Sequence, residues 1–216
     1  MKQKAGMFID VQNVQVTFEK VGNEVRYDKL IDYVREQCEK EDSALWKAVV
    51  FVPFDPRDQR RERLINALSF MGYRVKQKPV KRLPDGSIKA NMDMEITLEI
   101  LSAASYLDTI IIVSGDSDFV PLIDTLNRMG KRIWVIGTKK GAVGIELIRS
   151  SDRYENMDDI EGVIIPFGPS SGKWEEDFFS VPEGEMGFPD DIGGVEDIGG
   201  DISMEDGGIS DEMPEE

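Results

Sequence analysis

The stretch from residue 110 to residue 123, IIIVSGDSDFVPLI, joins a fully apolar run to a turn that carries two aspartates. A continuous β-branched run that stops at Ser-Gly is typical of a buried strand in a parallel sheet. Open α/β sheets bind their ligands at the carboxyl ends of such strands. Asp116 and Asp118 therefore stand where a functional site is expected. An aspartate here is also a favoured N-cap for the following helix, but one cap accounts for only one of the two.

Strands and helices alternate along the chain on both sides of this stretch. Apolar or alternating runs predict strands at 6–11, 46–54, 73–80, 110–113 and 131–137, while apolar residues at helical spacing predict helices at 28–40, 57–72, 91–105 and 118–129. Residues 146–157 are predicted to form helix and loop. Alternation of this kind indicates βαβ units. The predicted fold class is therefore α/β with a mainly parallel central sheet flanked by helices.

Acidic residues are concentrated toward the end of the chain. The 216 residues include 42 acidic and 26 basic side chains, yet from residue 163 onward there are 16 acidic residues and a single basic one, Lys173. This segment is rich in Gly, Asp and Ile, a composition that cannot bury enough apolar surface to offset its backbone entropy. We therefore predict a folded domain over residues 1–162 and a disordered acidic tail over residues 163–216.

The composition excludes several kinds of chemistry. Histidine is absent and Cys38 is the only cysteine, which excludes disulfides, thiolate zinc sites and Ser-His-Asp triads. The nucleotide-binding patterns G-x-x-x-x-G-K and G-x-G-x-x-G are also absent. An enzyme with this composition must use carboxylates, lysines or hydroxyls, together with a hard metal ion. The N-terminus has no signal-peptide pattern and no apolar run is long enough to span a bilayer, so the expected compartment is the cytoplasm, without membrane association.

Four acids are expected to converge on one edge of the sheet. If the strands at 6–11 and 110–113 are neighbours, Asp10 and Asp116 lie at the same edge, with Asp118 beside them and Asp93 at a helix start that faces the same crevice. Taken singly, each is an ordinary turn or helix-start residue. Taken together, they repel one another unless a cation binds between them. Oxygen ligands without nitrogen or sulfur favour Mg²⁺ or Mn²⁺, a site suited to phosphodiester hydrolysis.

Three sequence blocks together resemble the NYN domain, the LabA-like branch of the PIN-like nuclease fold. They are F-I-D-x-x-N from Phe8 to Asn13, K-x-x-x-D from Lys89 to Asp93, and S-G-D-S-D-F from Ser114 to Phe119. The resemblance covers residues 5–160, and its most specific part is the third block. It implies a Rossmann-like, PIN-like sandwich that holds a divalent metal ion and cleaves RNA.

The resemblance also implies roles for individual residues. Asp10, Asp93, Asp116 and Asp118 are expected to be the catalytic and metal-site acids, supported by Asn13 and Ser114. The family often has a second Asp six residues after the acid of K-x-x-x-D, and this chain has Glu99 there. A Glu at that position either reaches the site or faces solvent.

A basic stripe lies between residues 57 and 89, where ten basic residues stand against three acidic ones. Beside an acidic metal cleft, such a stripe suits a polyanion that passes over the cleft, although a solvated helix face is the alternative for residues 57–63. Single-stranded RNA is the favoured ligand. The predicted RNA-binding residues are Arg57, Arg60, Arg61, Arg63, Lys76, Lys78, Lys81, Arg82 and Lys89.

Other functions are compatible with parts of this pattern. The main alternative to a ribonuclease is a nucleic-acid-binding or regulatory module that has the fold but little activity. A phosphatase of the haloacid-dehalogenase type requires D-x-D after the first strand, which this chain lacks at residues 10–12. The acidic tail either docks on a protein partner, covers the chain's own basic stripe or only increases solubility. The sequence does not determine the oligomeric state.

Overall fold

In a computed structural model that describes residues 2–82, 88–89, 91–141 and 143–168, six strands form one central sheet. The strands in chain order are β1 Gln3–Asp10, β2 Asn23–Val25, β3 Ser43–Phe54, β4 Arg74–Pro79, β5 Lys81–Arg82, β6 Ile88–Lys89, β7 Thr109–Val113, β8 Arg132–Gly137, β9 Arg153–Asn156 and β10 Ile164–Pro166. The helices are α1 Val11–Glu19, α2 Tyr27–Lys40, α3 Gln59–Phe70, α4 Asp93–Ala103, α5 Val120–Arg128 and α6 Ile145–Ser150. Short 3-10 turns lie at Ser117–Phe119, Lys139–Gly141 and Met157–Asp159.

The strand order of the central sheet is β4-β3-β1-β7-β8-β9, and every neighbouring pair is parallel. From β1 the chain first builds outward through β3 and β4, and then returns to the other side of β1 to add β7, β8 and β9. The order therefore reverses between β1 and β7. In sheets of this kind the crevice at such a reversal, at the carboxyl ends of the strands, is the usual binding site.

Alternate residues of the central strands pack into two separate cores. Met7 and Ile9 face a core shared with α1, α2 and α3, whereas Phe8 faces a core shared with α4, α5 and α6. The same alternation holds along β3, β7 and β8. Because both faces of these strands are covered by helices, nearly every residue in them is apolar, which is the reason that the run at 110–113 shows no alternation.

The predicted α/β class with a mainly parallel sheet is confirmed, although the short strands β2 and β10, helix α1 and strand β9 were not predicted. Helix α1 was not predicted. Asp10 ends β1 and accepts a hydrogen bond from the backbone N–H of Asn13, and this bond caps the helix. Residues 153–156 were predicted as helix and loop, but they form the edge strand β9. Their polar sequence, RYEN, carries no strand pattern, and pairing with β8 determines their conformation.

A second, two-stranded sheet joins β10 to β2 in antiparallel fashion, with Ile164 opposite Val25. Val163 is fully buried beneath it. The packed part of the chain therefore continues past the boundary predicted after residue 162. The remainder of the predicted tail, from residue 169, lies outside the described residues. Among the helices that the structure describes, none has the length and apolar character that a bilayer crossing requires.

Candidate metal centre

The carboxyl ends of β1 and β7 lie side by side in the middle of the sheet. In the register of these two parallel strands, Ile9 stands opposite Val113. The next residues along the two strands, Asp10 and Ser114, are both buried, with 8% and 1% of their surface exposed. The predicted adjacency of the two strands is confirmed. It places the start of the S-G-D-S-D-F block beside the aspartate of the F-I-D-x-x-N block.

Asp10 is the most buried of the four predicted acids. Its carboxylate accepts a hydrogen bond from the backbone N–H of Asn13 at 3.1 Å. Burial, together with the nearby charges of Asp93 and Asp116, raises the pKa of Asp10 to about 6 despite the lowering effect of the hydrogen bond from the Asn13 N–H. The protein therefore holds this carboxylate in an environment that disfavours its charge.

The loop after β7 is fixed by hydrogen bonds to residues of both sequence blocks. The side-chain oxygen of Asn13 accepts from the backbone N–H of Gly115 at 2.9 Å, which ties the loop to α1. Within the loop, the backbone N–H of Asp116 donates to Ser114 Oγ at 3.2 Å, and the carboxylate of Asp116 accepts from the backbone N–H of Asp118 at 2.9 Å. Asp116 is thus the N-cap of the 3-10 turn, so its predicted capping role and its place among the acids are compatible.

Asp93, the first residue of α4, brings a third acid to the same place. Carboxylate oxygens of Asp93, Asp116 and Asp118 lie within 4.8 Å of one another. Partial burial raises the pKa of Asp93, as do the charges of Asp116 and Asp118, while a hydrogen bond from the Asn91 side chain lowers it. Asp116 is half-buried and Asp118 is exposed, so water reaches the group.

The donor set of this group fits a hard divalent cation. It offers only carboxylate oxygens, which are the ligands that Mg²⁺ and Mn²⁺ prefer, and it leaves room for water molecules to complete the coordination. Three carboxylates this close repel one another, and a bound cation removes that repulsion. Asp10 is not a member of the group within 4.8 Å, although it lines the same pocket.

The pocket in front of the acids has a volume of about 310 Å³ and opens to solvent. Its lining comes from α1 and the residue that caps it, from the residues before α4, and from the β7 loop. These residues are Asp10, Gln12, Asn13, Val16, Thr17, Lys20, Asn91, Met92, Asp93 and Asp116. The contribution of α1 to the pocket lining was not predicted from the sequence. Its signal was present, because the apolar residues Val11, Val14 and Phe18 follow the N-cap Asp10 at helical spacing.

A glycine outside the predicted set also shapes the site. The backbone N–H of Gly144 donates to the carbonyl of Gly115 at 3.3 Å. A Cβ atom at Gly144 would lie 2.8 Å from the Cβ of Ser117, closer than real side chains approach. The segment before α6 can therefore pack against the acidic loop only if residue 144 has no side chain.

The predicted supporting residue Glu99 lies elsewhere on α4. Its carboxylate pairs with Lys47 Nζ at 2.5 Å and with Lys76 Nζ at 3.2 Å. Despite partial burial, hydrogen bonds from these two lysines lower the pKa of Glu99. It is neither in the acidic group nor in the pocket lining. In this structure Glu99 neutralises two lysines.

The predicted RNA-binding residues separate into three sets. Arg57, Arg60 and Arg63 are exposed and make no side-chain ion pair with any described residue, and they lie in the turn after β3 and the start of α3. Lys76 and Lys78 are paired with Glu99 and Glu95, and Arg61 donates to the side chain of Gln15 in α1. The remaining three contribute backbone to the β5–β6 hairpin, and their side chains lie outside the description: Lys81, Arg82 and Lys89.

Comparison with known proteins agrees with this architecture. Residues 4–158, which include nearly all of β1, the whole of β2 to β9 and all four acids, match the family model of the NYN domain. The low amplitude and bright protein LabA of Synechococcus elongatus is 31% identical over 168 residues, covering 74% of this chain and 87% of LabA. A crystal structure of a protein of unknown function from Vibrio parahaemolyticus aligns with a TM-score of 0.64 at 28% identity, covering 73% of this chain and 94% of that one. The family match and the acidic group together fit a metal-dependent nuclease.

Replacing Asp10 with Asn is expected to stabilise the metal-free protein at neutral pH. Folding raises the pKa of Asp10 from 3.8 to about 6, so in this pH range the native state binds more protons than the unfolded state. The free energy of unfolding therefore falls as the pH rises through this range, by roughly 2–3 kcal/mol in total. Asn keeps the N-cap acceptor but has no charge to bury.

Urea unfolding in EDTA between pH 4.5 and pH 7.5 measures this effect. The stability gain of Asp10→Asn over the wild type should grow across the range. Asp58→Asn is the matched control, because Asp58 is the N-cap of α3 but is exposed to solvent. An Asp10→Asn variant that is no more stable than the wild type at pH 7.5 would contradict the cost assigned to the buried charge.

Proposed function

This chain belongs to the NYN domain family, and we propose that it is a divalent-metal-dependent ribonuclease that hydrolyses phosphodiester bonds of single-stranded RNA. The observation that carries the proposal is the convergence of Asp93, Asp116 and Asp118 within 4.8 Å, in front of a pocket that Asp10 also lines. These acids come from three separate parts of the chain. Structural capping alone does not require them to meet.

The residues have distinct roles in this proposal. Asp93, Asp116 and Asp118 would hold Mg²⁺ or Mn²⁺, and a cation held there would also lower the pKa of the buried Asp10 toward its ordinary value. When bound, such an ion supplies Lewis acidity to phosphodiester hydrolysis and neutralises charge that develops on the phosphate oxygens. Asn13 and Ser114 keep the acidic loop in place through their hydrogen bonds to the backbone of Gly115 and Asp116.

Of the predicted RNA-binding residues, those that the described part of the chain leaves without an ion pair lie close to the edge of the sheet that carries the acids. Helix α3 starts where β3 ends, and β3 is the neighbour of β1. Arg57 and Arg60 therefore lie at the carboxyl edge, on the side of the acids toward β4. A phosphate backbone that contacts these arginines would extend toward the pocket, and contacts to phosphates position a strand without reading its sequence.

A binding module without turnover is the second candidate. One observation favours it: Asp10 is not among the carboxylates that lie within 4.8 Å of one another. A site that held a cation through the other three acids but did not engage Asp10 would bind RNA and cleave it poorly. The two candidates differ in a cleavage assay, and both predict metal-dependent RNA binding.

Asp116→Asn and Asp93→Asn are expected to lower the rate of RNA cleavage by more than about a hundredfold, since even outer-shell changes at metal sites cost 10- to 100-fold. The assay uses labelled single-stranded RNA with Mn²⁺, Mg²⁺ or EDTA, and a DNA strand of the same sequence tests the preference for RNA. Asp124→Asn is the matched control, because Asp124 is an exposed acid of α5 that makes no side-chain hydrogen bond or ion pair with the described residues. Cleavage at the wild-type rate by either site variant at saturating metal would refute the ligand set.

Neutralising Arg57, Arg60 and Arg63 together to Gln should weaken RNA binding and flatten its salt dependence. Each lost phosphate contact lowers the slope of log K against log salt by about 0.7 for a single strand. A salt titration by fluorescence anisotropy measures both quantities. Lys29→Gln combined with Arg149→Gln removes exposed positive charge from other surfaces and serves as the control. An unchanged slope in the arginine variant would show that the RNA does not contact these three arginines.

A further inference from the structure

Two exposed lysines outside the predicted RNA-binding set lie near the acids. Lys20 is the C-cap residue of α1, and among the described residues that line the pocket it is the basic one. Lys139 lies in the 3-10 turn that follows β8. Both side chains are exposed, and neither makes a side-chain hydrogen bond or ion pair with any residue that the structure describes.

The turn that carries Lys139 is fixed at the carboxyl edge of the sheet. The backbone N–H of Lys139 donates to the side-chain oxygen of Asn156 at 3.2 Å. The backbone N–H of Lys140 donates to Thr138 Oγ1 at 3.1 Å, and its ammonium group pairs with Asp158 at 2.8 Å. The fold therefore neutralises one lysine of this turn and leaves the charge of its neighbour, Lys139, to the solvent.

The order of the strands places positive charge on both sides of the acids. Arg57 and Arg60 follow β3, the neighbour of β1, whereas Lys139 follows β8, the neighbour of β7. Strands β3 and β8 are three positions apart in the sheet, or about 14 Å at a spacing of about 4.8 Å. A stacked nucleic-acid strand rises about 3.4 Å per nucleotide, so about four nucleotides cover this distance.

We propose that single-stranded RNA lies along this edge from the arginines of α3, across the acids, to Lys139, and that Lys20 binds a phosphate in the pocket. The identity of the ligand rests on the proposed function, to which the inference adds two positioning residues. A strand that is held on both sides of the acids keeps the phosphate between them in place. Contacts of this kind go to the phosphate backbone and carry no sequence preference.

Lys20 also has a structural explanation, which makes a different prediction. It stands at the C-terminal end of α1, where a cation interacts favourably with the helix dipole. In that role it would affect the stability of the protein but not the salt dependence of RNA binding. Its position favours the contact with RNA, because Val16, one turn earlier on the same side of the helix, lines the pocket as well.

Binding titrations with two RNA lengths test the two lysines separately. The full-length chain is titrated in Ca²⁺ with octauridylate, which is long enough to span the edge, and with a 5′-phosphorylated diuridylate, which fills only the pocket. The ¹H–¹⁵N NMR spectrum follows binding and also shows that each variant is folded, and the length of the RNA is checked after each titration.

For octauridylate, Lys20→Gln and Lys139→Gln should each lower the slope of log K against log salt by about 0.7, which corresponds to about fivefold weaker binding at 0.1 M salt. For diuridylate, only Lys20→Gln should weaken binding. Lys20→Arg and Lys139→Arg keep the charge and should bind as the wild type does. Lys2→Gln combined with Arg128→Gln is the matched control, because these exposed cations lie before β1 and at the end of α5, at the amino edge of the sheet.

Octauridylate binding that neither Gln variant changes would overturn the inference and leave the ribonuclease proposal intact, since cleavage depends on the acids. Diuridylate binding that Lys139→Gln weakens would overturn the outer position of Lys139, and diuridylate that does not bind the wild type would overturn the phosphate site at Lys20. If both variants weaken binding as expected but the wild type cleaves no RNA in Mn²⁺ or Mg²⁺, the ribonuclease proposal fails and the path of the strand stands. A wild type that binds neither RNA would overturn both.

Discussion

The parallel pairing of β1 with β7 determines the position of every group in the candidate site. It sets Ile9 opposite Val113, so the first polar residues after the two strands emerge side by side. The hydrogen bond from the backbone N–H of Gly115 to the side-chain oxygen of Asn13 then joins the segments that follow β7 and β1. Since the strand order reverses at this pair, no crossover connection covers the crevice between them. The site is thus a consequence of the order in which the chain adds strands to its sheet.

The protein bears an electrostatic cost at this crevice. Burial and like charges raise the pKa values of Asp10 and Asp93, and no described basic side chain pairs with either carboxylate. Elsewhere the fold pairs its partly buried acids, as it does at Glu99 with two lysines and at Asp28 with Arg26. A cluster of acids that the fold leaves without cationic partners is explained more readily by binding than by stability. Comparable acids with structural roles are neutralised within the chain.

The distribution of positive charge follows from the same architecture. Glutamates of α4 pair with lysines of β3 and β4, so the basic stripe of the sequence is partly neutralised in the folded protein. The arginines around the start of α3 stay exposed because that segment is a turn at the sheet edge rather than a packed strand. A polyanion therefore meets a smaller and more localised positive surface than ten basic residues suggest. That surface adjoins α1, and through α1 the pocket.

Local patterns in the sequence were sufficient for the class of fold, and they pointed to acids that the structure brings to one edge of the sheet. The apolar runs at 46–54 and 110–113 are buried on both faces and read as parallel strands, and the three family blocks contain Asp10, Asp93, Asp116 and Asp118. Features that leave no pattern among neighbouring residues could not be predicted from the sequence. The polar strand at Arg153–Asn156 owes its conformation to its neighbour β8, and the pairing of Glu99 with Lys47 and Lys76 depends on how α4 lies across the sheet. The grouping of three acids apart from Asp10 and the contribution of α1 to the pocket wall likewise depend on tertiary structure. The physical reason is the same in each case. Periodicity and turn chemistry act between residues a few positions apart. The hydrogen bond from Gly115 to Asn13, in contrast, joins residues 102 positions apart and forms only when the strands have taken their order in the sheet.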